Sequence, residues 1–363
     1  MYTTDGDKII LDKDPKRLTD VERLEIATSI SKDITEFPYY RVTDEEIYAI
    51  TKRLDELAPH KTETAGNIYQ NQVGIKLINS FHPHMWSVKC QNFKTPQEIF
   101  ADKTKFIRAI DKYIGTMDKK VITYTSRIVI LKTSSGAQAV SNFRPSVAKY
   151  IYSKYGNGGS VLDPCIGYGG RLFGAWCSNI KRYVGVDPCT PTIEGNKNLI
   201  AKLKENDLSN TKRFGAIDRP EIVMHQSPFE DFNTDEKFDL VFTSPPYFGT
   251  EKYSDEETQS WKRYAEKDAW LNNFLKVLIQ KAYDYLKSDG YMVLNVSPAM
   301  QEDTIRLANE IFKSEPQIES MVLSLLPVRA NQEDRENKVE PAIVYRKSGL
   351  TEIKNATKQV KFI

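Results

Sequence analysis

The stretch 161-VLDPCIGYGGRLFGAW-176 decides how the rest of the chain is read. An apolar run enters Asp163-Pro164, and Gly167, Gly169 and Gly170 follow before a helical pattern begins. Glycine lets a backbone pass close to a ligand, because no Cβ stands in the way. In α/β sheets, ligands bind beyond the carboxyl ends of the strands. A glycine turn behind a strand therefore reads as a cofactor cradle formed by Asp163, Pro164, Gly167, Gly169 and Gly170. The spacing is G-x-G-G, which fits a dinucleotide fingerprint poorly. The alternative is a tight strand-to-helix turn that holds no ligand.

Working outward, apolar runs at 160–164, 182–187, 221–225, 238–244, 291–296, 320–326 and 342–347 predict strands. Helical patterns lie near 145–155, 170–178, 191–205, 268–287 and 301–313. Such alternation predicts a mainly parallel sheet covered on both faces. The last two strands leave no room for a helix across PVRANQEDRENKVEP, so they should pair antiparallel. Upstream the texture is helical. Thr43 with Glu46 and Thr95 with Glu98 are capping boxes. Behind them, Ile47, Ile50, Leu54 and Leu57 form one apolar side, and Ile99, Phe106, Ile107, Ile110 and Ile114 another. Residues 1 to about 35 are charged and weakly periodic, so partial mobility is expected there. The expected organisation is a mainly helical N-terminal domain (1–135), an α/β domain (136–350) and a tail (351–363).

The chain has 363 residues and a net charge of +2, so any polyanion-binding surface must come from local charge. Its cysteines, Cys90, Cys165, Cys177 and Cys189, form no CxxC pair, and a reducing cytoplasm fits them. The start, MYTTDGDKIILDKD, is polar and is expected to be no signal peptide. No apolar run approaches the roughly 20 residues that span a bilayer. No metal is expected: His82, His84 and Cys90 lie near one another in sequence, but no fourth ligand is close.

Three further motifs follow predicted strands. Asp187 closes RYVGVD about twenty residues beyond the glycine turn, where an acidic residue accepts both hydroxyls of a ribose. It could equally cap the helix behind Pro188. In 226-QSPFEDF-232, Pro228 and Phe229 can lie against an adenine ring, and Glu230 or Asp231 can accept its amine; a capped turn with a buried Phe is the other reading. In 241-VFTSPPYFG-249, two prolines remove two backbone donors and fix two φ angles directly behind a buried run.

Ser244-Pro245-Pro246-Tyr247 behind one strand, together with D-P-x-x-G-x-G-G behind another, resembles the S-adenosylmethionine (AdoMet)-dependent amino-methyltransferases of nucleic acids. The resemblance covers roughly 140–347. It implies a class I methyltransferase sheet of Rossmann-like kind, with the last strand antiparallel, and AdoMet as cofactor. It also implies a flipped base whose exocyclic amine is held by Ser244 and the Pro245 carbonyl and whose ring stacks on Tyr247. The segment 142-NFRP-145 looks like the one that flanks the methionine moiety, with Asn142 or Arg144 meeting its carboxylate. The segment EKYSDEETQSWKRY looks like a loop that closes over the base, with Glu251, Tyr253 and Gln259 as candidates; a solvated surface loop reads the same way.

Within that family S-P-P-Y leans toward N4 of cytosine in DNA. N6 of adenine is the alternative, followed by RNA guanine-N2 and by a protein that binds AdoMet without catalysis. The resemblance implies DNA as partner, RNA less so, and a bacterial or phage setting; with no long apolar run, no membrane partner is expected. Pro164-Cys165 and Pro188-Cys189 are similar to the Pro-Cys nucleophile of cytosine carbon-5 enzymes. SPPY, however, occupies that nucleophile's place, so both cysteines are read as apolar fillers. Target recognition is expected to lie in residues 1–135, or to be absent. Within 71–120, nine Lys/Arg face four Asp/Glu, with Phe81, Trp86, Phe93 and Tyr113 interleaved. That mixture suits a phosphate backbone and a displaced base, or else a helical domain whose aromatics are core.

Overall fold

The computed structural model describes residues 1–64, 67–207, 218–322 and 339–348. It divides into two compact units: Met1–Arg41, Pro83–Ser141 and Gly249–Tyr253 in one, and Val42–His82, Asn142–Phe248 and Ser254–Ile363 in the other. This differs from a single cut at 135, because residues 42–82 belong with the sheet. The tail 351–363, most of PVRANQEDRENKVEP and the end of the 320–326 run lie outside the described residues.

The larger unit carries the strands β1 (Ser160–Asp163), β2 (Arg182–Asp187), β3 (Glu221–Gln226), β4 (Phe238–Thr243), β5 (Leu286–Asn295), β6 (Gln317–Val322) and β7 (Val339–Arg346). Its helices include α1 (Pro145–Tyr155), α2 (Gly170–Trp176), α3 (Thr190–Glu205), α4 (Lys276–Tyr285) and α5 (Gln301–Phe312). The strand order is β6-β7-β5-β4-β1-β2-β3. β5, β4, β1, β2 and β3 run parallel to their neighbours. β7 is antiparallel to both β5 and β6. This is the sheet of the class I AdoMet-dependent methyltransferases.

The apolar runs form these strands because both faces are covered. Val161, Tyr183, Leu240, Phe242 and Val293 point into one core, shared with α1, α2 and α3. Leu162, Val184, Val241, Met292 and Leu294, their immediate neighbours in sequence, point into the other, against α4 and α5. Side chains alternate across a strand, and a doubly covered parallel sheet needs an apolar residue at every step. From β1 the chain moves outward to β2 and β3, then returns to place β4 on the other flank of β1. The crevice beyond the carboxyl ends of β1 and β4 is thus the topological switch point, where such sheets bind ligands.

The sheet extends past its expected edge. Asn67–Tyr69 adds parallel to β6, and Glu63–Thr64 pairs with it antiparallel. These strands are too short to show a period of two in the sequence.

The smaller unit is mainly helical, with a three-stranded antiparallel sheet of Tyr2–Asp5, Lys8–Leu11 and Val121–Ile122. The expectation of a weakly ordered N-terminus is corrected here: Asp20–Asp33 is a helix whose capping box pairs Thr19 with Glu22. The helix expected from Thr95 onward is two helices, Pro96–Ala101 and Lys103–Thr116. Asp102 leaves helical geometry at ψ 94° and accepts the Lys105 amide, ending one helix and capping the next. Trp86 is buried against Phe37 and Tyr40, so it serves the core, whereas Phe93 is 48% exposed.

Candidate active site

The glycine turn leaves β1 and crosses toward β2, where the Ile166 amide donates to the Val186 carbonyl at 3.0 Å. Gly167 and Gly169 have φ of +57° and +83°, in the left-handed region that favours glycine. A Cβ at Gly170 would stand 2.0 Å from the Phe143 carbonyl oxygen. One at Gly169 would meet Asn196 Oδ1 at 2.5 Å. Glycine is thus required at 170 by a close backbone approach, at 169 by the Asn196 side chain together with its φ, and at 167 by φ alone.

Asp187 is 8% exposed at the end of β2. Its carboxylate accepts the Gly167 amide at 2.9 Å and the Cys189 amide at 3.0 Å, one on each oxygen. Burial pushes this carboxyl up to about 6, against the pull of those two amides. Asn196, on α3, donates to the Gly167 carbonyl at 2.7 Å, and its Oδ1 is buried with no partner among the described residues.

Asp163 is placed differently from the expectation of a cofactor contact. It is fully buried and accepts Arg171 on both oxygens, at 2.8 and 3.2 Å. Tyr183 OH at 2.6 Å, Thr243 Oγ1 at 2.8 Å and the Cys165 amide at 3.3 Å complete its shell. With its lone pairs taken, it fastens β1, β2, β4 and α2 beneath the turn. Arg171 also donates to the Cys165 carbonyl. Pro164 is buried within the same turn. Burial pushes the Cys165 thiol well above its ordinary range, and the Cys189 thiol upward too. Neither favours the thiolate that nucleophilic attack needs.

Arg144 precedes α1. Its Nη1 donates to the Asn142 carbonyl at 3.1 Å, and its Nε is buried without a partner among the described residues. Burial lowers the guanidinium's pKa. A desolvated cation with an unused donor is suited to an incoming carboxylate. Asn142 donates to Asn79 Oδ1 at 2.6 Å, a partner the sequence reading missed.

Beyond β4, Ser244-Pro245-Pro246-Tyr247 follows Thr243, whose hydroxyl is committed to Asp163. Ser244 Oγ and Tyr247 OH lie 3.5 Å apart, the outer limit of a hydrogen bond. Both residues are half-buried. Tyr247 packs along the edge of the core shared with Cys165 and Phe248. The motif and the glycine turn leave adjacent strands, flanking the switch point.

Other expected contacts are corrected. Phe229 is 2% exposed and stacks on Phe232 at 5.9 Å, so its ring serves the core. Pro228 is half-buried at the start of that loop. Glu230 and Asp231 are both engaged by Arg263, at 3.1 and 2.9 Å. The base-closing candidates do not come together in one element. Glu251 and Tyr253, hydrogen-bonded to each other, lie in the smaller unit, where Glu251–Lys252 pairs with Lys89–Cys90. Gln259 lies in the larger unit and is 5% exposed. Arg171 and Asn196, which hold the glycine turn, carry no motif that would single them out in the sequence.

Among the described residues no three of His, Cys, Asp and Glu converge as metal ligands, and no helix is long and apolar enough to cross a membrane.

Residues 238–362, from β4 onward, match the family described as DNA methylase, in agreement with the resemblance carried by SPPY. No curated protein matches the chain. Solved structures similar to it include a methyltransferase from Pyrococcus furiosus (13% identity, TM-score 0.37, covering 56% of this chain and 83% of that one). A protein from Listeria monocytogenes, described as a candidate class I S-adenosylmethionine-dependent methyltransferase, shares 13% identity at TM-score 0.38, over 91% of this chain and 88% of that one. The N-methyltransferase NodS from Bradyrhizobium japonicum, in complex with S-adenosylhomocysteine, shares 14% identity at TM-score 0.31, over 53% and 78%.

Proposed function

We propose that the chain methylates an exocyclic amine of a base in DNA from AdoMet, with N4 of cytosine as the first target and N6 of adenine as the alternative. The observation that carries this reading is the pairing of SPPY and the glycine turn on adjacent strands at the switch point. The residues fit the cofactor. Asp187 suits a ribose diol, the glycine turn presents no side chain at Gly167, Gly169 and Gly170, and the unused Nε of Arg144 suits an amino-acid carboxylate. AdoMet, when bound, supplies a methyl group on a sulfonium.

What the chain supplies is positioning and charge acceptance. An exocyclic amine is a poor nucleophile, because its lone pair is delocalised into the ring. Ser244 Oγ and the Pro245 carbonyl accept its N–H bonds, which localises the lone pair and meets the positive charge that grows on nitrogen. Two prolines hold those acceptors rigid and offer no competing N–H. Tyr247 gives the displaced base a face on which to stack, so that the nitrogen is held in line for attack. As the N–C bond forms, the methyl–sulfur bond would break to leave a neutral thioether, and the amine proton would pass by way of the same acceptors to solvent water.

In this reading the smaller unit serves target recognition. Its 83–141 segment carries ten Lys/Arg against four Asp/Glu, a balance that favours a phosphate backbone. The test is Ser244→Ala combined with Tyr247→Ala. Methyl transfer to DNA should collapse while S-adenosylhomocysteine binding persists. A protein that binds AdoMet without catalysis would show no transfer to lose.

A further inference from the structure

Ser254–Arg263 is the greater part of EKYSDEETQSWKRY, the segment expected to close over a base. Its contacts within the larger unit lead elsewhere. Glu256 accepts the Thr190 amide at the start of α3 with both carboxylate oxygens, each at 3.2 Å. Ser254 Oγ braces that carboxylate at 3.0 Å. At the far end Arg263 holds Glu230 Oε1 at 3.1 Å and the two oxygens of Asp231 at 2.9 and 3.3 Å. Between the pins, Trp261 Nε1 donates to the Ser254 carbonyl at 3.2 Å, and Gln259 is buried.

Thr190 lies just beyond Asp187 at the end of β2, and Glu230-Asp231 lie just beyond Pro228-Phe229 at the end of β3. The two strand ends are themselves tied, Ser227 amide to Asp187 carbonyl at 3.1 Å and Gln226 Nε2 to Thr190 Oγ1 at 2.7 Å. The segment therefore bridges the two loops that frame the nucleoside half of the cofactor site. We propose that Ser254–Arg263 is a strap over that half, that Glu256 and Arg263 are its positioning residues, and that cofactor exchange requires its release. The proposal rests on the AdoMet reading. It gives Glu230 and Asp231 the role of anchoring Arg263, in place of adenine recognition. It also makes the strap a determinant of product release, the step that sets turnover in many enzymes with closing loops.

The test uses the full chain and S-adenosylhomocysteine as probe, with stopped-flow dissociation and amide hydrogen exchange. Glu256→Ala and Arg263→Gln should each raise the dissociation rate about tenfold or more, since each loses at least one charge-assisted hydrogen bond. In the unaltered protein the probe should slow exchange across 254–263. An unaltered protein that does not bind the probe would overturn the cofactor reading, and the strap with it. Binding with unchanged exchange at 254–263 and unaltered rates in both variants would overturn the strap alone.

Discussion

The Asp187 carboxylate and the Gly167 amide are joined at 2.9 Å, so the end of β2 and the glycine turn after β1 are held as one edge. A buried carboxylate that already accepts two backbone amides is pre-oriented, and it keeps lone pairs for a ligand diol. Its carboxyl, pushed up to about 6, titrates near neutrality. A ribose hydroxyl donates best to the ionised form. S-adenosylhomocysteine affinity should therefore fall as pH drops through about 6. Asp187→Asn should bind weakly with no such pH dependence, as titration calorimetry on either side of that pH would show. The sign for folding is opposite. A carboxyl raised in the folded state stabilises it below the ordinary value of about 3.9, and that contribution is lost as pH rises through about 6.

The Asp163–Arg171 pair is a second point of leverage. Both side chains are buried, and removing one leaves the other charged without its partner. Arg171→Met should cost about 3–5 kcal/mol of stability, read as a lowered urea midpoint at unchanged slope. Adding Asp163→Asn in the same chain should restore part of that loss.

Glycine substitutions separate close approach from simple turn geometry. Gly170→Ala drives a Cβ to 2.0 Å from the Phe143 carbonyl oxygen, a backbone atom with no room to yield. It should cost on the order of 2–3 kcal/mol and abolish cofactor binding. Gly249→Ala meets nothing within 4 Å and bears only the strain of its φ of +69°. It should cost about 1–2 kcal/mol and leave binding intact. Thermal melts and calorimetry on the two variants make the comparison.

On the helix Lys103–Thr116, Arg108 and Lys112 are exposed and one turn apart. Like charges at that spacing disfavour the helix by a few tenths of a kcal/mol, a cost that a phosphate backbone removes. Arg108→Glu with Lys112→Glu should weaken DNA binding across sequences and reduce the salt slope by about 2. Fluorescence anisotropy at several salt concentrations reads both effects.

What the sequence made legible was local. The caps at Thr43 and Thr95, the glycine turn, Asp187 and SPPY are each defined within a few residues, and each lies at its expected strand or helix end. Contacts that close over long separations left no such trace. Asn79 meets Asn142, Glu256 meets Thr190, and Arg263 meets Glu230, in each case without a pattern to announce it. Asp163 shows the limit from the other side. It stands where a cofactor ligand was expected, yet Arg171, Tyr183 and Thr243 converge on it from three other elements. The helix at Asp20–Asp33 could have been read from Thr19 and Glu22, the same box recognised twice downstream, but its charged first turn masked the apolar face.

Nucleoside mass spectrometry reads transfer of a methyl group to an exocyclic amine of DNA without an intermediate assay. The protein is incubated with methyl-labelled AdoMet and unmethylated DNA of mixed sequence, which is then digested to nucleosides. Labelled N4-methyl-deoxycytidine is expected, and its loss in Ser244→Ala; labelled N6-methyl-deoxyadenosine would keep the chemistry and change the base. DNA that stays unlabelled while the protein binds AdoMet would rule out DNA amino-methylation.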